Sequence, residues 1–490
     1  MRLSKLSLAV AAVIGSGICA EAMALDLYVD SKTKQIFAEP GPGRTKLGSF
    51  EKVEDTAVKK VEADTQIQKA EIDKIKQDLE LKTNELKALD EHIVAQREDR
   101  AKNDEKWFNK INVRGYTQLR YNQALSGDRT AGEPELKSVG DGSIGNNQGF
   151  SLRRVRLVFS GDINEYISLY LQPDFATTNG DLHFAQLRDA YADLAFDKAH
   201  EYRIRAGQSK VPFGWENLQS SQNRLTLDRD DALNSAVPSE RDLGLFAYWS
   251  PSDVQKLWKD LAKKNLKTSG DYGVLGLGVY NGQGINKAEA NDNLYLVAHS
   301  TYPFDLGFMG LRGQVVEVGA DAMSGRFNRS TSAYTSRFGS GTPTARDNSE
   351  DRVGVHAVLF PQPFGLQAEW NWGAGPTLNP SANRIERQNL EGGYVQAMYK
   401  IDNVFGTKGS MMPYVKWQTY DGAWKGVANA PRVNVDEVEA GVEYQINKAL
   451  ELTVAYATMN RTQIQTQTTA AGFLQQASGD LIRTQLQFNY

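Results

Sequence analysis

The chain has 490 residues, with 56 Lys and Arg against 60 Asp and Glu and a formal net charge of −4. That slight acidity argues against a dedicated nucleic-acid binder, which should be basic. The single cysteine, Cys19, leaves no disulfide framework, and no stretch beyond the N-terminus reaches the roughly 18 apolar residues of a membrane-spanning helix.

Residues 1–24 begin with Arg2 and Lys5, pass through an apolar run at 6–14 and end at Ala22-Met23-Ala24. Basic start, short apolar core and small-x-small site predict a secretory signal peptide. Ile18 stands directly before Cys19, where lipidation needs a small residue. Without residues 1–24 the chain has no cysteine nucleophile or thiolate ligand.

Residues 25–50 read as a small β head. Leu27, Val29, Ile36 and Phe37 flank a turn at 30–34, and Pro40-Gly41-Pro42-Gly43 breaks the chain. Residues 51–106 contain neither Gly nor Pro. A heptad threads them, with Val58, Thr65, Ile72, Leu79, Leu86 and Ile93 at a and Val61, Gln68, Ile75, Lys82, Leu89 and Gln96 at d. A sustained a/d seam predicts an α-helical coiled coil, and one helix cannot bury that seam alone, so self-association follows. Strand number is not legible in the heptad; a homotrimer is the working expectation. A helix of this length reaches roughly 80 Å at about 1.5 Å per residue, which brings peptidoglycan or another periplasmic partner within range.

After Trp107-Phe108, two aromatics suited to a membrane interface, the period becomes two. Alternating segments fall at 111–122, 150–161, 166–175, 184–196, 202–208, 241–250, 272–281, 293–302, 309–318, 352–360, 364–372, 391–401, 412–421, 435–446, 450–461 and 480–490. About sixteen strands, joined alternately by short turns and long polar loops, predict an all-β chain here: an antiparallel transmembrane β-barrel over 107–490 in outer-membrane lipid. The third long loop, about 210–241, is too long for an ordinary connection and carries Arg224, Asp228, Arg229, Asp230 and Asp231. It is expected to fold inward and narrow the barrel. One link on the short-turn side, 252–270, has Leu257, Trp258, Leu261 and Leu266 at helical spacing, which predicts a short helix.

A charge facing lipid at mid-membrane costs about 2–4 kcal/mol, so charges alternating with strong apolar residues should face inward. On this basis Phe364, Leu366, Ala368, Trp370 and Trp372 face out while Gln367, Glu369 and Asn371 face in. The same reading puts Glu437, Glu439 and Glu443 inside, with Arg114, Arg120, Arg154, Arg156, Arg203, Arg205 and Arg483. The arginines belong to the early strands and the last, which are neighbours in a closed barrel. The glutamates belong to later strands. A basic wall therefore faces an acidic stretch. Each arginine has two readings, free to meet a solute or paired with a loop carboxylate. The strand at 184–196 stays open, since either face could carry Tyr191 or Leu194.

Residues 111–490 then resemble the phosphate-selective porin O/P family of Gram-negative outer membranes. The resemblance rests on Leu152-Arg153-Arg154-Val155-Arg156-Leu157, Leu187-Arg188-Asp189-Ala190-Tyr191, Ala206-Gly207-Gln208-Ser209-Lys210-Val211-Pro212-Phe213-Gly214, Arg241-Asp242-Leu243-Gly244, Val438-Glu439-Ala440-Gly441-Val442-Glu443-Tyr444 and the closing Leu486-Gln487-Phe488-Asn489-Tyr490. It implies a sixteen-stranded trimeric porin whose third loop folds inward and whose basic lining favours small anionic solutes such as phosphate. The chain departs from that pattern in its slightly acidic charge and its inward glutamates.

A passive channel needs no catalytic constellation, cofactor or metal, and none is legible. Of the five histidines, His92, His183, His200, His299 and His356, none sits in a metal-spaced pair, and neither Gly-x-Ser-x-Gly nor His-Glu-x-x-His occurs. Two other classes stand beside the channel: a lipase-like barrel enzyme using a Ser/His pair, with His356 as its histidine, and an envelope anchor or adhesin built on the coiled coil.

Overall fold

The computed structural model describes residues 25–50, 55–104, 106–126, 144, 149–176, 185–328, 330–336, 339–344, 347–464 and 474–490. The expected signal peptide, 1–24, lies outside them. The chain divides into two compact units, residues 1–101 and 102–490.

The first unit contains a three-stranded sheet in the order Ile36–Phe37, Leu25–Asp30, Arg44–Phe50. Asp30 Oδ1 accepts from the backbone N–H of Lys32 and Thr33, 2.9 Å each, and so makes the turn. Helix α1, Asp55–Asp104, follows. Its a-position residues Ile72, Leu79 and Leu86 are 52, 65 and 66 % exposed in the single chain, so the apolar seam has no cover at these positions among the described residues.

The second unit is the expected barrel. Its strands are β1 Asn112–Ala124, β2 Gly149–Asn164, β3 Ile167–Asp174, β4 Gln186–Ala195, β5 Tyr202–Lys210, β6 Arg241–Trp249, β7 Leu275–Tyr280 and β8 Tyr295–Asp305. They continue as β9 Val315–Phe327, β10 Asn348–Leu359, β11 Phe364–Asn379, β12 Arg384–Tyr399, β13 Ser410–Ala423, β14 Arg432–Asn447, β15 Leu450–Ile464 and β16 Leu474–Asn489. With the two-residue piece Ile401–Asp402 counted as the end of β12, sixteen antiparallel strands close, β16 pairing with β1. The closure is reinforced where Gly115 and Tyr490 exchange backbone hydrogen bonds of 2.6 and 3.0 Å. A Cβ on Gly115 would lie 2.4 Å from the Tyr490 ring, so the seam requires glycine there.

Alternation decides the faces. On β11, Leu366 is 40 % exposed on the outside while Glu369 is 3 % exposed within. The strand expected at 309–318 is displaced: it is β9, Val315–Phe327. Leu306–Met309 forms a 3-10 turn instead, capped where Asp305 Oδ1 accepts from Gly307 N–H at 2.8 Å. Gly310 and Gly313, both at positive φ, complete the reversal. On β4 the open question resolves with Tyr191 inside, under Arg205, and Leu194 exposed outside.

Two connections enter the barrel from opposite ends. Residues 211–240, between β5 and β6, carry α2, Trp215–Leu218, and α3, Asp231–Ala236. Residues 250–274, at the short-turn end, carry α4, Ser252–Lys263, the helix predicted there. Their apolar residues pack together: Trp215 of the inward loop with Val254, Trp258, Leu261 and Leu266, against Val315, Val358 and Phe360 of the wall. Trp215 Nε1 and Trp258 Nε1 both donate to the Glu317 carboxylate of β9, 2.9 Å each. Glu317 thus holds the two insertions to the same point of the wall.

Candidate functional site

The inward loop is pinned along its length. At its neck Gly214 adopts φ +86°, where an added Cβ would lie 3.0 Å from Leu233 and 3.1 Å from Glu369. That turn aims the N–H groups of Trp215 and Glu216 at the Glu369 carboxylate, 2.6 and 3.0 Å away. Lys210 Nζ donates to the carbonyls of Leu218 and Gln219 at 3.1 and 2.6 Å. Lys416 of β13 reaches Glu216 at 2.6 Å. Asp230 caps α3, accepting from Leu233 N–H at 3.2 Å. Glu369, read as part of an acidic wall, is therefore an anchor for the loop.

The basic wall is larger than simple alternation predicts. Two of the slips in strand register add an arginine. Gln118 pairs with Arg154 but Leu119 pairs with Leu152, so Arg153 is the extra residue of a bulge. Gln172 pairs with Asp189 but Pro173 pairs with Leu187, so Arg188 is extra as well. A bulge re-aims the residue it adds, and both arginines turn to acids of the inward loop: Arg153 to Asp228 at 3.9 Å, Arg188 to Glu240 at 3.2 Å. A sequence read at strict period two passes over both.

Most of the arginines are held by carboxylates. Arg120 lies 3.2 Å from Asp228, and Arg483 bonds the same carboxylate while reaching Glu439 at 3.2 Å. Arg156 pairs with Asp174 at 2.7 Å and Arg241 with Asp189 at 2.9 Å. Arg205 makes a two-pronged bond to Asp193 at 2.7 and 2.8 Å, and Arg203 meets Asp271 of the 250–274 segment at 2.8 Å. Arg229 pairs with Glu240 and donates to Asn234 at 2.7 Å. The remaining three differ. Arg154 donates to Gln118 Oε1 at 2.8 Å, Arg224 to the carbonyls of Thr226 and Leu227 at 3.1 and 3.2 Å, and the more exposed Arg114 to Gln222 at 3.2 Å. No carboxylate lies within ion-pair distance of these three among the described residues. Arg154 sits amid the positive charges of Arg153, Arg156 and Arg224.

Opposite, Arg461 bonds Glu437 and Asp231, the latter at 2.8 Å, and Tyr414 donates to Glu439 at 2.7 Å. Glu443 is taken by Lys267 of the 250–274 segment at 2.5 Å. Between loop and wall remains a cavity of about 30 Å³, lined by Asp228, Arg229, Lys416, Glu437, Glu439 and Arg483 among others, enough for a water or two. Burial opposes the charged form of Asp228, but Arg120, Arg483 and Arg153 outweigh it and hold that carboxyl well below its usual range. Burial pushes Asp231 up to about 6, Glu437 adding to the push and Arg461 opposing it. Burial likewise raises Asp230.

A closed barrel with an apolar outside, a charged interior and an inward loop of this kind is an outer-membrane porin. Residues 137–490 match the family described as phosphate-selective porin O and P, and the chain belongs to that family. Among solved structures the chain is similar to the outer membrane channel DcaP of Acinetobacter baumannii, with 13 % identity, 78 % of this chain and 97 % of that one covered, and a TM-score of 0.46. For OmpT of Vibrio cholerae in its trimer form the values are 9 %, 78 %, 99 % and 0.44. For an anion-selective porin from Comamonas acidovorans they are 11 %, 78 %, 99 % and 0.43. No curated protein matches the chain.

Proposed function

We propose that the protein is a narrow, anion-preferring channel for passive diffusion of small hydrophilic solutes, phosphate-sized anions among them. The observation that carries this reading is the cluster of Arg153, Arg154, Arg156 and Arg224, in which Arg154 and Arg224 have no carboxylate partner among the described residues. Their direct hydrogen bonds go only to amide and carbonyl oxygens, with Glu216 and Asp228 attracting Arg224 from beyond contact, so an anion at the loop would find donors already oriented. Membership of a family described as phosphate-selective supports the same reading. Arg203 and Arg205 contribute less, since Asp271 and Asp193 already neutralise them. The gap itself carries both signs, Asp228 and Glu439 beside Arg483, which favours a general anion filter over an all-basic phosphate ladder. Zero-current potentials in a salt gradient test the reading, with Arg154→Ala and Arg224→Ala as the informative variants.

Self-association is part of the proposal. The uncovered seam of α1 fits a coiled coil between copies of this chain, with a homotrimer as the assembly and the helix as a periplasmic extension within reach of peptidoglycan. The lipase-like alternative has little support, because His356 is buried and its hydroxyl partner is Thr301 at 2.9 Å, not a serine.

A further inference from the structure

Four consecutive strands bring together side chains that sequence spacing keeps apart. His299 of β8, Asp321 of β9, His356 of β10 and Glu369 of β11 all point inward, and none is more than 4 % exposed. His299 is directly opposite Asp321 across the ladder, and His356 directly opposite Glu369. One donor atom from each of Asp321, His356 and Glu369 lies within 4.8 Å of the others.

The hydrogen-bond chemistry shows what this cluster lacks. Glu317 takes both indole N–H groups, and Thr301 Oγ1 lies 3.0 Å from its Oε1. A carboxylate only accepts, so the threonine hydrogen points to Glu317. Thr301 Oγ1 must then accept from His356 Nε2–H, 2.9 Å away. In the neutral ring this leaves His356 Nδ1 as a bare lone pair. It is buried with no hydrogen-bond partner, and Asp321 Oδ2, another acceptor, lies 3.8 Å away. Lone pairs facing one another out of reach of water are costly, and a cation between them removes the cost.

We infer that Asp321, His356 and Glu369 form a binding site for a divalent first-row transition ion of the zinc type. His299 orients Asp321 through its 2.5 Å contact, and Thr301 orients the His356 ring, the usual support for a metal-bound imidazole. One imidazole with two carboxylates suits such an ion, whereas Mg²⁺ and Ca²⁺ take oxygen donors. Metal–ligand bonds of about 2.0–2.2 Å set donor atoms about 3.4 Å apart, so side-chain closure of roughly 1 Å completes the site. Gly214 N–H also bonds Asp321, at 3.1 Å, and Trp215 and Glu216 N–H bond Glu369. The ion would therefore tie the wall to the neck of the inward loop.

The test uses the whole protein without a histidine tag, folded in detergent, stripped with chelator and titrated with Zn²⁺, or with Co²⁺ for its visible spectrum. Stoichiometric binding is expected, abolished in His356→Gln and weakened about 10- to 100-fold in Thr301→Val, which removes only the supporting hydroxyl. Excess Mg²⁺ should not compete. Far-UV circular dichroism verifies folding, and Thr301→Val decides the matter if His356→Gln does not fold. Absence of stoichiometric binding, equal binding in a folded His356→Gln or Thr301→Val variant, or displacement by Mg²⁺ would each overturn the assignment.

Discussion

Arg120 and Asp228 are 108 residues apart in the chain and 3.2 Å apart inside the barrel, Nη1 to Oδ1. Arg483, on the strand that closes against β1, bonds the same carboxylate. One loop acid thus balances two wall arginines, with Arg153 a further 3.9 Å contact. Asp228→Asn keeps the shape and removes the charge. The zero-current potential should move further toward that of a pure anion channel, and thermal stability should fall because the arginines lose their buried counter-charge. An unchanged potential would place the conducting path elsewhere.

Lys267 is the corresponding clamp from the other end, 2.5 Å from Glu443 and 3.9 Å from Glu451, both buried on the far wall. Removing one member of a buried ionic group costs about 3–5 kcal/mol, because the remaining charges are left unpaired. Lys267→Met should loosen the 250–274 segment. Single-channel recording should show larger or flickering conductance, and the unfolding temperature should drop. A stable variant with unchanged conductance would mean the segment does not restrict the passage.

Asp231 gives the channel a pH response. Its carboxyl titrates at about 6, so it is mostly ionised at about pH 7 and mostly neutral at about pH 5. Protonation removes one negative charge beside Arg461 and leaves the gap more positive. Anion preference should rise as pH falls through that window, and Asp231→Asn should show the low-pH selectivity throughout it. The linked stability has the opposite sign to that of an ordinary paired acid. An acid whose pKa is raised by folding destabilises the fold above its folded pKa, and that cost is relieved as pH falls through it.

The exposed seam of α1 predicts contact between copies. In a Cys19→Ser background the chain has no other cysteine. There Leu86→Cys, at an a position, should form an interchain disulfide on mild oxidation, and Lys87→Cys, one residue off the seam, should not. Non-reducing gels read the difference. Equal crosslinking at both positions would argue against a packed seam.

Period two made the barrel legible, because lipid outside and charge inside force alternation along every strand. Glu369 and Arg483 were assignable to the inside for that reason. What alternation hides is any departure from it. Arg153 and Arg188 face inward through bulges, and a bulge leaves no mark on a sequence read two by two. The strand at 309–318 misled because Phe308, Met309 and Leu311 look like strand residues, while Gly310 and Gly313 at positive φ make the turn. Ion pairs such as Arg205–Asp193 depend on register between strands. The His299, Asp321, His356 and Glu369 group draws one residue from each of four strands, so no local spacing announces it.

The central claim is that the arginine cluster at the inward loop sets anion preference. The most direct measurement is the zero-current potential across a bilayer holding the wild-type channel in a potassium chloride gradient, repeated with Arg154→Ala and with Arg224→Ala. The wild type should sit on the anion side of zero. Each substitution should move it toward cations, by more than Arg203→Ala does, since Asp271 already neutralises Arg203. A cation-selective wild type, or Arg154 and Arg224 variants indistinguishable from it, would contradict the account.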